Sequence, residues 1–315
     1  MGTPELARTS LQALLACHDF QMVAVVTQPD RPKGRDLKLT ASPVKELALR
    51  SNLPVLQPER ARNEEFIEQL RRLKPELITV AAFGQILPQS ILDLPRFGCI
   101  NVHTSLLPKY RGAAPIQWAI LNDEPETGVT IMKMDAGMDT GAILTEEKTA
   151  IHETDNAQTL HDRLAGLGAK LLVRTIPDYV AGKIAPRPQP AEGVSYAPKI
   201  KKQDGQIDWN QSARAIWNRV RGLVPWPGAF THVPAQPNPY LLKIWEAETV
   251  QQSGSPGQIL SAEKSEILVA CGQDALRILE LQLEGGRRLA AQQFLPGHPL
   301  KPGQILVSRN PGGFR

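Results

Sequence analysis

Residues 77–82 read LITVAA. A run this short, apolar and rich in β-branched side chains reads as a strand buried on both faces. The same character returns at residues 22–27 (MVAVVT), in Cys99–His103 (CINVH) and at 129–134 (VTIMKM). The segments between them, at 43–50, 63–73 and 114–121, carry helical periodicity. Buried strands alternating with helices predict a doubly wound, Rossmann-like α/β domain whose parallel sheet is covered on both faces. The pattern has one gap. The chain opens on Met1-Gly2-Thr3-Pro4-Glu5, a glycine turn with proline at a first helical position, and no apolar strand precedes it.

A long helical stretch at 156–181 is followed by residues 182–192, where Pro186, Pro188 and Pro190 exclude a helix and predict an extended connector. Beyond it lie a helical segment at 213–220 and short strand-like runs at 229–233, 241–245, 267–270 and 276–283. Several short strands in about a hundred residues predict a small antiparallel, OB-like β-barrel. The division expected is an α/β domain over 1–182, a linker over 183–198 and the barrel over 199–308. At 315 residues the chain has room for two such domains.

Hydrophobic residues make up 42% and charged residues 22%, which excludes an intrinsically disordered chain. No apolar run approaches the length of a membrane span and no signal-peptide pattern opens the sequence, so a cytoplasmic protein without a membrane partner is expected. Cys17, Cys99 and Cys271 stand singly in apolar surroundings and are expected as buried thiols, with no disulfide framework and no metal site. A net charge of +4 is only mildly basic, so what matters is where the cations cluster.

Ligands of open α/β sheets bind at the carboxyl ends of the strands. Asn101 and His103 share one side of the strand that ends there, two residues apart. They are followed by Ser105-Leu106-Leu107-Pro108 and the basic turn Lys109-Tyr110-Arg111-Gly112, and the 129–134 strand leads into a glycine-punctuated loop holding Asp135 and Asp139. An amide and a protonated imidazole can donate to a developing oxyanion, and a carboxylate can hold the imidazolium in place. Such a set suits acyl transfer between nitrogens without a covalent nucleophile. Singly, a histidine at a strand end and an aspartate in a glycine turn are more often structural; Asp135 is read as such a turn residue.

The assembly of segments adds to this. Residues 1–7 (MGTPELA), 27–32 (TQPDRP), 101–103 (NVH), 105–108 (SLLP), 110–115 (YRGAAP) and 138–141 (MDTG), in this order and spacing, resemble the folate-dependent formyltransferases. Residues 196–200 (YAPKI), 207–209 (IDW) and 225–230 (PWPGAF) resemble one branch, the methionyl-tRNA formyltransferases. The resemblance implies Asn101, His103 and Asp139 as catalytic residues and Ser105, Leu106, Leu107 and Pro108 as lining for tetrahydrofolate. The implied reaction moves the formyl group of 10-formyltetrahydrofolate to the α-amino group of methionyl initiator tRNA, with no metal, in a monomer. The resembled family begins with several apolar β residues before the GTPE turn, so a start misassigned or truncated at an internal methionine is expected here, with a serious loss of stability.

The same resemblance gives the cations of residues 31–38 a role. Arg31, Lys33, Arg35 and Lys38 crowd one Pro/Gly-interrupted loop, which in the family wedges into the tRNA acceptor stem; Asp36 stands where a glycine is expected. Lys199, Lys201 and Lys202, with Arg214, Arg219 and Arg221, are read as a second tRNA-facing patch, which Lys183 and Arg187 could join. Trp209, Trp226 and Trp245 are read as packing residues. Two rivals remain: a formyltransferase for a small amine, such as an amino sugar or glycinamide ribonucleotide, and a non-catalytic RNA-binding relative. A dinucleotide-dependent oxidoreductase is weaker, because no GxGxxG follows a strand.

Overall fold

Two compact units emerge in the computed structural model, which describes residues 1–33, 38–234, 239–263 and 266–308. Residues 1–115, 126–150 and 161–197 form the first unit; 116–125, 151–160 and 198–315 form the second. Up to residue 197 the order is α1 (Glu5–Leu15), β1 (Val25–Val26), β2 (Arg31–Lys33), β3 (Lys38–Thr40), α2 (Pro43–Arg50), β4 (Val55–Leu56), α3 (Glu64–Leu73), β5 (Ile78–Val80), α4 (Gln89–Leu92), β6 (Cys99–His103), β7 (Arg111–Gly112), α5 (Pro115–Leu121), β8 (Glu126–Lys133), β9 (Ile143–Ala150), α6 (Ala157–Val180) and β10 (Tyr196–Ala197). The helices begin where the sequence signals them. Ser42 caps α2 by accepting the Lys45 N–H at 3.1 Å, with Pro43 in the first turn. Helix α3 buries Phe66, Ile67 and Leu70 and leaves Glu68, Arg71 and Arg72 paired on the wet side.

The sheet departs from the all-parallel expectation. Strands β1 and β4 pair in parallel, as do β5 and β6, but β8 runs antiparallel to β6 and β9 antiparallel to β8. The two parallel pairs form separate ladders. The Met1–Gly2 backbone lies between them: the Gly2 N–H donates to Val26 O at 2.9 Å and the Ala81 N–H donates to Met1 O at 3.0 Å. Glycine is required there, because a Cβ on residue 2 would stand 2.6 Å from the Ala81 carbonyl oxygen. Beside this junction an apolar cleft of about 700 Å³, lined by Met22, Leu77, Phe97 and Pro177 among others, contains neither Asn101, His103 nor Asp139.

Helix α6 covers the mixed sheet. Gly168 lets the helix approach closely, since a Cβ there would sit 2.8 Å from a methyl of Val102. The Tyr179 hydroxyl donates to Phe97 O at 2.8 Å. The expected connector is not free of the first unit: Arg187 exchanges two backbone hydrogen bonds with Ile143, and Tyr196–Ala197 pairs in parallel with Arg111–Gly112. Among the described residues no helix is long and apolar enough to cross a membrane, and no group of three His, Cys, Asp or Glu could hold a metal ion.

In the second unit α7 (Ala213–Gly222) packs on an antiparallel sheet of β11 (Ala229–Val233), β12 (Tyr240–Val250), β13 (Ile259–Glu263), β14 (Glu266–Ala270), β15 (Ala275–Leu283) and β16 (Arg288–Ala290), with α8 (Ala291–Phe294) following. Strand pairing runs in the open order β11-β12-β15-β14-β13, so among the described residues the ladders do not close the barrel expected from the sequence. Single bridges join Val307 to His232 of edge strand β11 and Ile305 to Gln258, the residue just before edge strand β13. Ile216, Val220, Ile244, Leu276 and Phe294 are in its core. Trp209 is buried as expected, but Trp226 is 56% exposed, lifted out by the proline-flanked turn it occupies.

The thiols also sort differently from expectation. Cys99 and Cys271 are buried, whereas Cys17, just beyond the end of α1, is half-buried with its Sγ 3.8 Å from Asp19 Oδ2. Burial pushes the Cys99 and Cys271 thiols up to about 12. A thiolate-selective reagent at mildly alkaline pH is therefore expected to label Cys17 rapidly in the native protein and all three cysteines only in denaturant. Rapid native labelling of a second thiol would contradict the packing described.

Candidate active site

All five residues of β6 are buried, and its register sets Asn101 beside Val80 and Met132, and His103 beside Thr130. Asn101 is 9% exposed and His103 5%. The imidazole Nε2 lies 2.9 Å from the Tyr110 carbonyl oxygen. A carbonyl only accepts, so Nε2 carries a hydrogen and donates it there, and Nδ1 is left as the nitrogen that can act on a substrate. Nδ1 faces Asp139 Oδ2 at 3.8 Å.

Asp139 does not reach His103 by strand direction. Because β8 is antiparallel to β6, its end at Lys133 lies beside Ile100, not beside His103. The 134–142 loop has to fold back. Asp135 turns it by accepting the Gly137 N–H at 3.0 Å and the Thr140 hydroxyl at 2.7 Å, the turn role expected of this residue. Asp139 then adopts φ +52°, unusual for a residue with a Cβ, and its Oδ2 accepts the Gly112 N–H at 2.8 Å. Gly141 permits the return, since a Cβ there would lie 1.9 Å from Lys133 O.

Three side chains without a role in the sequence reading complete this arrangement. Gln189, from the proline-rich connector, donates to Asp139 O at 2.7 Å and Gly141 O at 2.8 Å and accepts from the Arg111 guanidinium at 2.6 and 3.0 Å. Ser195 accepts the Tyr110 N–H at 2.9 Å, fixing the turn whose carbonyl holds His103. Thr130 accepts the Leu107 N–H at 3.1 Å and donates to Ser105 O at 2.7 Å. Their only sequence signal is position: Gln189 is a polar residue between two prolines, Ser195 precedes the 196–200 motif and Thr130 lies inside the 129–134 strand.

The 105–108 segment divides. Ser105 is fully buried, its hydroxyl donating to Lys109 O at 2.6 Å, and Leu107 packs with Met132 and Ile143. Leu106 and Pro108 are half-buried, so a ligand beside this segment meets those two side chains and the main chain. The 27–32 segment is anchored by Asp30, which accepts from Lys45 at 2.6 Å and Gln57 at 2.9 Å. These two donors, Lys45 first, hold its carboxyl below the usual range. Arg31 is exposed on β2; the backbones of Lys33 and Lys38 end the paired strands β2 and β3, and Arg35 and Asp36 lie outside the described residues.

In the second unit the six cations behave differently. Lys199, Lys201 and Lys202 are exposed. Arg214 is paired with Asp123 and Glu153 at 2.8 Å each. Arg221 is buried, stacked on Trp217 and bonded to the carbonyls of His152 and Asp155, while Arg219 donates to Asp204 O, and burial lowers both guanidinium pKa values. The arginines expected in the patch are thus occupied in holding the unit together.

Residues 1–176 match the family model described as formyl transferase, and residues 199–299 match that of the formyl transferase C-terminal domain. The methionyl-tRNA formyltransferase of Caldanaerobacter subterraneus is 52% identical over 97% of this chain and 98% of its own length. That of Citrifermentans bemidjiense is 51% identical over 98% and 96%. Among solved structures, a sugar 3N-formyl transferase in the presence of dTDP and 5-N-formyl-THF superposes with a TM-score of 0.64 at 21% identity, over 88% of this chain and 95% of that one, a likeness of fold.

Gly112 tests the geometry directly. Its φ is +121°, and a Cβ would stand 2.7 Å from Ala197 O. Gly112→Ala is expected to cost on the order of 2 kcal/mol, which lowers the melting temperature by about 4–8 °C. An unchanged melting curve would show that the β7–β10 pairing is not as tight as described.

Proposed function

We propose, for a chain that belongs to the methionyl-tRNA formyltransferase family, a mechanism in which Asn101, His103 and Asp139 carry the transfer. The enzyme moves the formyl group of 10-formyltetrahydrofolate to the α-amino group of methionyl initiator tRNA. The observation that carries the residue assignment is the approach of His103 Nδ1 to Asp139 Oδ2, at a strand end where the Asn101 carboxamide has no protein partner among the described residues.

The neutral amine attacks the formyl carbon, and the carbonyl π electrons move onto oxygen. Asn101 donates to that oxyanion through its amide, and His103 donates through Nδ1 when protonated. Collapse of the tetrahedral intermediate expels N10 of tetrahydrofolate, which takes up a proton, while the amine gives up one. Asp139 relays that proton on this reading, which its 3.8 Å approach to Nδ1 supports. No covalent enzyme intermediate is needed. Leu106, Pro108 and the adjoining main chain form the wall offered to the folate, with Ser105 and Leu107 supporting it from inside.

Residues 1–182 act as the catalytic, Rossmann-like portion on this reading, 183–198 as the connector and 199–308 as the OB-like, tRNA-contacting portion. Lys199, Lys201 and Lys202 contact tRNA phosphates, with Arg31, Lys33, Arg35 and Lys38 at the acceptor end. The enzyme acts in the cytoplasm, where translation initiates, as a monomer. The sheet departs from a parallel Rossmann ladder at β8, and the Rossmann-like reading rests on the β1–β4 and β5–β6 pairs.

Incubation with 10-formyltetrahydrofolate and charged initiator tRNA, charged elongator tRNA or amino sugars separates this reading from its rivals. Formylation of initiator tRNA is expected; formylation of an amino sugar with none of tRNA would overturn it. Asn101→Ala and His103→Ala are each expected to lower kcat by about 100 to 1,000-fold in folded protein; near-normal turnover by either removes that residue from the mechanism. Substituting alanine for Lys199, Lys201 and Lys202 together is expected to raise KM for tRNA about tenfold and to flatten its salt dependence, leaving KM for the folate unchanged.

A further inference from the structure

We infer that Gln189 is a positioning residue for the transfer reaction, holding the Asp139 loop against His103; the inference rests on the catalytic reading of Asn101, His103 and Asp139. Gln189 touches no reacting atom in that scheme. It is half-buried between the exposed Pro188 and Pro190. A primary carboxamide has two N–H donors and one carbonyl acceptor, and here every one is used: the donors go to Asp139 O and Gly141 O, and the acceptor takes Arg111.

The four residues close a ring. The Asp139 carboxylate is held by the Gly112 N–H, Arg111 precedes Gly112 and grips Gln189, and Gln189 returns to the Asp139 main chain. Each link restrains what strand direction leaves loose, since β8 ends beside Ile100 and the loop must travel back to His103 in a left-handed conformation at Asp139. The connector is itself fixed two residues away, where Arg187 and Ile143 exchange backbone hydrogen bonds of 2.7 and 2.8 Å. Prolines on both sides of Gln189 narrow its backbone to extended conformations. Glutamine is thus held in place with a short, stiff tether.

The chemistry discriminates among substitutions. Glutamate keeps the shape and the acceptor for Arg111 but has no N–H for the two carbonyls, and sets a carboxylate oxygen against them. Gln189→Glu is expected to lower kcat about tenfold or more, because small displacements of a catalytic group are costly in rate, with KM for methionyl-tRNA and for the folate each held within about threefold. Gln189→Ala, which deletes the whole side chain, is expected to do the same and serves if the glutamate variant fails to fold. In an Asp139→Asn background, Gln189→Glu is expected to cost less than about twofold, because a residue acting through Asp139 has nothing left to position.

Three results overturn the inference: turnover by both Gln189 variants within twofold of the parent while Asp139→Asn is impaired, a full and additive loss for Gln189→Glu in the Asp139→Asn background, or a loss confined to KM. Full turnover by Asp139→Asn alone would overturn the catalytic reading beneath it.

Discussion

The hydrogen bond from the Gly112 N–H to the Asp139 carboxylate joins two parts of the first unit that the sheet alone would keep apart. Strand β6 carries Asn101 and His103 to its end, but β8 departs in the opposite sense, so the loop after it starts three residues back, beside Ile100. Without an external anchor the carboxylate has no reason to lie near the imidazole. Gly112 is itself set by the parallel pairing of Arg111–Gly112 with Tyr196–Ala197, and Tyr110, two residues earlier, fixes the imidazole through its carbonyl. One short turn thereby orients both members of the pair, and the end of the connector orients the turn.

Much of this was legible in the sequence. The limits of α2 and β6 coincide with the segments read from the sequence, and α3, α5 and α6 fall within a residue or so of theirs, because the apolar spacing of the helices and the short apolar run of β6 each have one period that fits. Strand direction was not legible. A run of buried residues such as 129–134 has the same composition whether its neighbour is parallel or antiparallel, and only the chain path between strands decides. Strand β9 is hidden for the opposite reason: its burial alternates after Ile143 and Leu144, and its exposed positions are Glu146, Lys148 and Ala150, a composition that reads as surface rather than sheet. Strands β7 and β10, two residues each, lie below any periodicity.

The sequence argument for the proposed trio holds only in part. Asn101 and His103 follow from strand geometry, and their alternation survives in the structure. Asp139 follows only from its motif; the argument that a strand end delivers it fails, because the loop must reverse. The residues that reverse it, Gly141 for close approach and Gln189 for restraint, are a glycine among glycines and a polar residue in a proline-rich tract, and no local rule marks either.

Cations pose the same problem in electrostatic form. Composition treats Lys199 and Arg221 alike, yet one is exposed and the other is stacked on Trp217 and bonded to two carbonyls. The chemistry of the two side chains accounts for the division. Guanidinium is planar, weakly hydrated and able to serve several acceptors in a fixed fork, so it can be drawn inside to satisfy loop carbonyls. Ammonium is strongly hydrated and stays in water. In this unit Arg214 and Arg221 of α7 bind residues 123 and 152–155, segments that come early in the chain but pack with the second unit, while the lysines just before the helix stay exposed. A patch that counts both kinds equally therefore overstates the charge free at the surface, and places part of it where it serves as internal bracing.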